Sequence, residues 1–161
     1  MRVEVINAGP EMSVSMPAVA PTDARQFRPI YGLRVPALRP ADVVHIVGQF
    51  QLVNDNIPLV QIVRYLARNG SRLTPAMGDN LDTNRHYAAI QLAGIDTGQS
   101  GDTVYTIEAD AVILRGQEIT RQRSNVPPWL ERLFGSAQRW SGTIGVVQGY
   151  GFLRAVVFRS D

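Results

Sequence analysis

Two histidines, His45 and His86, are the only imidazoles in this sequence of 161 residues, and cysteine is absent. Imidazole is a general base and a common metal ligand, so a pair of histidines joined by Asp79 or Asp82 would be the simplest metal centre available here. The spacing argues against it. No H-x-H, H-x₃-H or H-E-x-x-H pattern occurs, and both histidines sit inside apolar runs that read as strands. The segment "GDNLDTN" at 78–84 clusters oxygen donors of the kind calcium takes, but it lacks the D-x-[DN]-x-[DN]-G order of a calcium loop. Asp79, Asn80, Asp82 and Asn84 read as turn formers.

The glycine-rich "GIDTGQSGD" at 94–102 has the composition of a phosphate cradle without its sequence. A cradle needs G-x-x-x-x-G-K-[ST] opening a helix, and here no lysine follows and the next run is a strand. Ser100 lacks the G-x-S-x-G context of a nucleophile elbow. Glu108 and Asp110 stand two apart on one strand face, a spacing that serves acid–base chemistry only inside a cleft. Their alternation with an apolar face predicts a solvated sheet surface instead. No cofactor is implied, and the reading is of a non-enzyme.

The remaining chemistry is that of surfaces. All 16 cationic side chains are arginine, charged residues make up 19% of the chain, and the net charge is only +2. A GC-rich genome accounts for arginine over lysine, and arginine's planar fork also suits packed interfaces. Residues 115–161 hold seven arginines against three acids. Arg115, Arg121 and Arg123 lie near Trp129 and Trp140, and Arg and Trp are enriched where proteins bind one another. The same mixture can bind single-stranded nucleic acid, but Glu118 and Glu131 dilute the patch. Phe27, Ile30 and Tyr31 complete the set of expected partner contacts.

The elements that carry these residues read as strands. Six of the ten prolines (Pro10, Pro17, Pro21, Pro29, Pro36 and Pro40) fall in the first 40 residues, which disfavours helix and central strand alike. Residues 1–41 are therefore expected to form an extended arm, with Val3–Ile6 and Met12–Met16 as short edge strands. Its apolar residues, among them Val19, Leu33, Val35 and Leu38, must pack on the body or on a neighbouring subunit. A β domain is expected over 42–161. "VVHIVGQFQLVN" and "IPLVQIVRYLARNG" read as a hairpin joined by "NDN", and Asn69-Gly70 is a strong turn signal. "TPAMGDNLDTN" reads as a polar loop, and "RHYAAIQLAGI" as a strand. "DTVYTIEADAVIL" is the clearest strand, with Tyr105, Ile107, Ala109, Ala111 and Ile113 on its buried face. Asp96 and Asp102 should pin the glycine turn before it. Asn125, Pro127, Pro128 and Gly135 frame a short helix at about 127–134. Two strands around "QGYG" close the chain. No segment reads as a leader or a membrane span. The expected class is all-β, an antiparallel jelly-roll sandwich with the Pro-rich N-terminal arm and one short helix near the C-terminus.

Residues 49–114 resemble jelly-roll domains of virion accessory proteins related in shape to tumour-necrosis-factor-like trimers. The resemblance rests on "QFQLVNDNIPLVQIVRYLARNGSRL" and "HYAAIQLAGIDTGQSGDTVYTIEADAVIL". It implies a structural role as a phage capsid decoration (cement) protein or a head or tail accessory piece. It further implies a homotrimer bound to a major capsid protein, located in the virion and assembled in host cytoplasm, with no active site to transfer. A carbohydrate-binding module, with Tyr87, Trp129, Trp140 and Tyr150 lining a groove, is the alternative.

Overall fold

The computed structural model describes residues 1–8, 15–19, 25–54, 59–82, 87–113, 143–147 and 150–160. Within them the regular structure is all strand. In chain order the strands are β1 (Arg2–Asn7), β2 (Ser15–Val19), β3 (Arg28–Leu38), β4 (Val43–Val53), β5 (Leu59–Arg68), β6 (Ser71–Arg72), β7 (Met77–Asp82), β8 (Tyr87–Thr97), β9 (Gly101–Ile113), β10 (Thr143–Val146) and β11 (Phe152–Arg159).

Two antiparallel sheets stack as a sandwich. The first runs β1-β11-β4-β8, with β10 continuing the line of β11 along the same edge of β4. The second runs β3-β9-β5-β7, with the short β6 continuing the line of β7 along β5. β2 joins the sheets: Ser15–Pro17 pair with β10, and Ala18–Val19 pair in parallel with β9. From β3 onward the chain crosses between sheets at each connection except those joining β5, β6 and β7 and that from β10 to β11. Sequence neighbours therefore mostly face one another across the core.

The core follows from alternation. Along β9, Tyr105, Ile107, Ala109, Ala111 and Ile113 are buried, as the period of two requires. They meet Val44, Ile46, Phe50 and Leu52 of β4, Val60, Ile62 and Leu66 of β5, and Leu153, Ala155 and Val157 of β11 in one cluster. Each fully buried Ile or Leu here stabilises the fold by roughly 1.5–3 kcal/mol relative to exposure. Gly48 of β4 belongs to this interior. A Cβ there would stand 2.6 Å from Ile107 Cδ1, so any larger residue would have to displace the end of the Ile107 side chain.

Several sequence expectations change here. β4 and β5 do not form a hairpin, because they lie in different sheets. Apolar runs separated by turn residues do not reveal whether the chain folds back within a sheet or crosses to the other. The segment expected as a polar loop at 74–84 contains β7, whose polar residues suit the rim of the second sheet. The described part of the expected arm is built into the body, with β1 on β11, β2 bridging, and β3 along β9. Pro29 and Pro36 are tolerated because β3 lies at a sheet edge and is interrupted by register shifts beside each of them. Ile30 and Tyr31, expected at a partner interface, are core residues at 0% and 2% exposure. The expected helix at 127–134 lies outside the described residues, as do Arg115, Arg121, Arg123, Trp129 and Trp140. Asn69 and Gly70 turn through positive φ of 47° and 77°, forming the tight β5–β6 connection that the Asn-Gly pair predicts.

Candidate interaction surface

The outward face of the β1-β11-β4-β8 sheet is built by register. Val5, Val156, His45 and Ile95 form one row across its four strands. Val3, Phe158, Val43 and Thr97 form the row on one side, and Asn7, Arg154, Val47 and Ala93 the row on the other. Directly opposed side chains in antiparallel strands have Cβ atoms about 4.5–5.5 Å apart, so these rows make a continuous surface. Exposure is high: Ile95 62%, Val5 54%, Val3 51%, Val47 43% and Phe152 40%. These are five of the nine large hydrophobic side chains exposed among the described residues.

The polar groups on the face are neutral or cationic, Gln91 Nε2 donating to Gln49 Oε1 at 3.2 Å among them, and no carboxylate stands on it among the described residues. Arg154 is turned along the surface, with Nε donating to Asn7 Oδ1 at 2.8 Å and its guanidinium 5.7 Å from the Phe152 ring centroid. His45 packs edge-on against Phe158, with ring centroids 5.1 Å apart. His86 lies outside the described residues. Contiguous exposed apolar area makes this face the candidate contact surface among the described residues.

The opposite outer face, that of the β3-β9-β5-β7 sheet, is covered differently. The segment Arg25–Phe27 crosses it. Arg25 pairs with Asp110 at 2.9 Å, and Phe27 stacks on Tyr65 with centroids 4.9 Å apart while the Arg72 guanidinium sits 4.5 Å from the same ring. Phe27 is thereby half-buried within the chain. Asp110, expected on a solvated face with Glu108, is 1% exposed, and its Oδ2 accepts no hydrogen bond. Burial raises its pKa, against the opposing pull of Arg25. Glu108 is half-buried and accepts from Thr106 Oγ1 at 2.8 Å.

The glycine turn is a corner between the two sheets, from β8 to β9. Gly98 and Gly101 have φ of 73° and 83°, which glycine adopts without strain. Asp96 anchors its start: Tyr105 Oη donates to Oδ2 at 2.8 Å, and Arg68 and the Thr97 amide donate to Oδ1 at 2.8 and 3.0 Å. Asp102 anchors its end by accepting from the Ala37 amide at 2.9 Å and pairing with Arg34. Those bonds hold Asp102 below the usual carboxylate range, the Ala37 amide contributing most. Both aspartates pin the turn, as its sequence suggested.

Asp79 forms an ion pair with the buried Arg64, so it is committed within the chain. No group of three His, Cys, Asp or Glu side chains converges on a common point among the described residues. Tyr150 is 63% exposed. Sequence reasoning missed the apolar face because its residues come from β1, β4, β8 and β11. One signal was present: β4 reads "VVHIVGQFQLV", apolar at odd positions (Val43, Val47, Val53) as well as even ones. That is the pattern of a strand covered on both sides.

No family model and no curated protein matches the sequence. Among solved structures, a mutant VP2 protein of infectious bursal disease virus, in derived T=1 particles, aligns over 98% of this chain and 32% of its own at a TM-score of 0.53 and 12% identity. The Gx strain structure of the same virus aligns over 99% of this chain and 37% of its own at 0.48 and 11%. The chain thus spans about a third of each neighbour. The first alignment shows a shared fold.

Proposed function

We propose that this chain is a virion structural protein, specifically a capsid decoration (cement) protein that binds and stabilises a capsid shell. The observation that carries the reading is the apolar face, exposed and without a carboxylate among the described residues, on a chain of which 98% aligns with about a third of VP2. A head or tail accessory protein of the same fold is the nearest variant of this role. The strand order supports a jelly roll. Eight strands interleave as β1-β11-β4-β8 and β3-β9-β5-β7, an order that fits the double Greek key of a jelly roll.

The apolar face would serve a homotrimer, and the trimer would seat on a major capsid protein in the virion, after assembly in host cytoplasm. Trimerisation multiplies weak contacts to a symmetric shell, so strong attachment needs no single large interface. Light scattering across a sizing column tests the trimer: the expected mass is three times 17.7 kDa. A monomer at micromolar concentration would contradict it.

A further inference from the structure

Among the described residues the two four-stranded rows end on β1, β8, β3 and β7, and three of these are protected against pairing with another chain. β3 carries Pro29 and Pro36 and two register shifts. β1 is six residues long and presents Arg2 and Glu4. β7 is six residues long and presents Asp79, paired with Arg64. Short length, charge, proline and irregularity are the devices that stop strand edges from pairing.

Over Tyr87–Ile95, β8 has none of them, its one charge being Asp96 near the C-terminal end. It is eleven residues long, pairs only with β4 among the described residues, and from Tyr87 to Ile95 contains neither a charge nor a proline. All eleven of its residues pair with β4 in unbroken register, so no bulge interrupts the edge that is unpaired among the described residues. Alternate peptide groups along that edge point away from β4 and are available to another strand.

We infer that β8 pairs antiparallel with β8 of a second copy of this chain, about a twofold axis at Gln91. The sequence of the strand is self-complementary about that residue. Gln91 faces Gln91, Ala89 faces Ala93, and Ile90 faces Leu92, while the paired stretch extends from Tyr87 to Ile95. Like charges never oppose one another. Ala89, Gln91 and Ala93 are exposed on the outward side, and among the described residues no strand other than β4 pairs with β8. The contact fuses two four-stranded sheets into one eight-stranded sheet and makes their apolar faces continuous. Because it is twofold, it joins one trimer to the next and does not depend on the threefold contact or on the capsid role.

Absence of cysteine from the chain permits a direct test. Opposed residues in an antiparallel pair have Cα atoms about 4.5–5.5 Å apart, within the disulfide range of about 4.4–6.8 Å. Gln91→Cys should therefore form a covalent dimer under mild oxidation, while Thr97→Cys, exposed at the strand end and far from the axis, should not. Adding Ala89→Lys and Ala93→Lys to Gln91→Cys sets lysine against lysine and should abolish the cross-link. Ala89→Lys with Ala93→Glu sets lysine against glutamate and should restore it. Equal cross-linking of Gln91→Cys and Thr97→Cys, or indifference to the charge pairs, would overturn the inference. Trimers without the Gln91 cross-link would remove this contact and leave the proposed function standing. The cross-link without trimers would do the reverse.

Discussion

Tyr105 of β9 donates its hydroxyl to Asp96 of β8 across the sandwich, at 2.8 Å. The bond ties the two sheets together at the glycine corner, where β8 leaves one sheet and β9 enters the other. Arg68 of β5 completes the group from the second sheet. Burial, reinforced by the Asp96 carboxylate, raises the Tyr105 pKa well above its ordinary value, so the hydroxyl stays protonated and donates throughout the working pH range. Tyr105→Phe leaves Asp96 Oδ2 without this donor in a buried setting. The expected cost is about 1–3 kcal/mol in urea unfolding, with the fold retained. A change of a few tenths would mean that the bond does not hold the corner.

Arg159 makes a second tie. Its guanidinium donates to Glu4 Oε2 on β1, to Asp42 Oδ2, and to the carbonyls of Pro36 and Ala37 at the end of β3. Four acceptors in different directions suit a planar fork and do not suit a point charge. Arg159→Lys should destabilise by about 2 kcal/mol, the scale of hydrogen bonds to charged groups. Thermal unfolding would show it, and a variant as stable as the parent would remove the clamp.

Carboxylates give opposite pH signatures. The folded pKa of Asp110 is raised above 3.8, so its contribution to stability is fully present below that value and lost as pH rises through the folded pKa. Asp42 is depressed below 3.8 by the Arg39 amide, with help from Ser160 and Arg159 after burial's opposing effect, so its contribution is present above 3.8 and lost as pH falls below the folded pKa. Relative to the parent, Asp110→Asn should gain in melting temperature as pH climbs from the acid range. Asp42→Asn should fall further behind the parent over the same climb. Parallel melting curves for the parent and Asp110→Asn would contradict the assignment.

Val47 and Ile95 stand in adjacent rows of the exposed apolar face. Lysine at both should leave stability within about 0.5 kcal/mol, since exposed positions away from the core tolerate substitution. The same double variant should lose the trimer. A stable trimer carrying both lysines would exclude this face as its interface.

Legibility in the sequence varied with how local each cause was. The buried face of β9 could be read because alternation is a property of the strand itself. The Asn69-Gly70 turn and the two aspartates at the glycine corner could be read because turn chemistry is written within a few residues. The partners of β4 and β5 could not, since a run such as "VVHIVGQFQLV" carries no mark of which sheet it joins. Proline suggested an extended arm packed on the body or on a neighbouring subunit, yet proline is equally at home on an edge strand of the body itself, which is what β3 is. Asp110 read as solvated because the residue that covers it, Arg25, is 85 positions away. Removing residues 1–41 would take β1, β2 and β3 with it, so truncation there tests folding and not attachment.

Electron microscopy of particles purified from the chain's own source, with the chain identified by labelling, tests the virion role most directly. The account predicts a two-sheet body in symmetric positions on the shell, with the β1-β11-β4-β8 face turned into a contact. Absence of the chain from purified particles, or its presence with that face open to solvent, would contradict it.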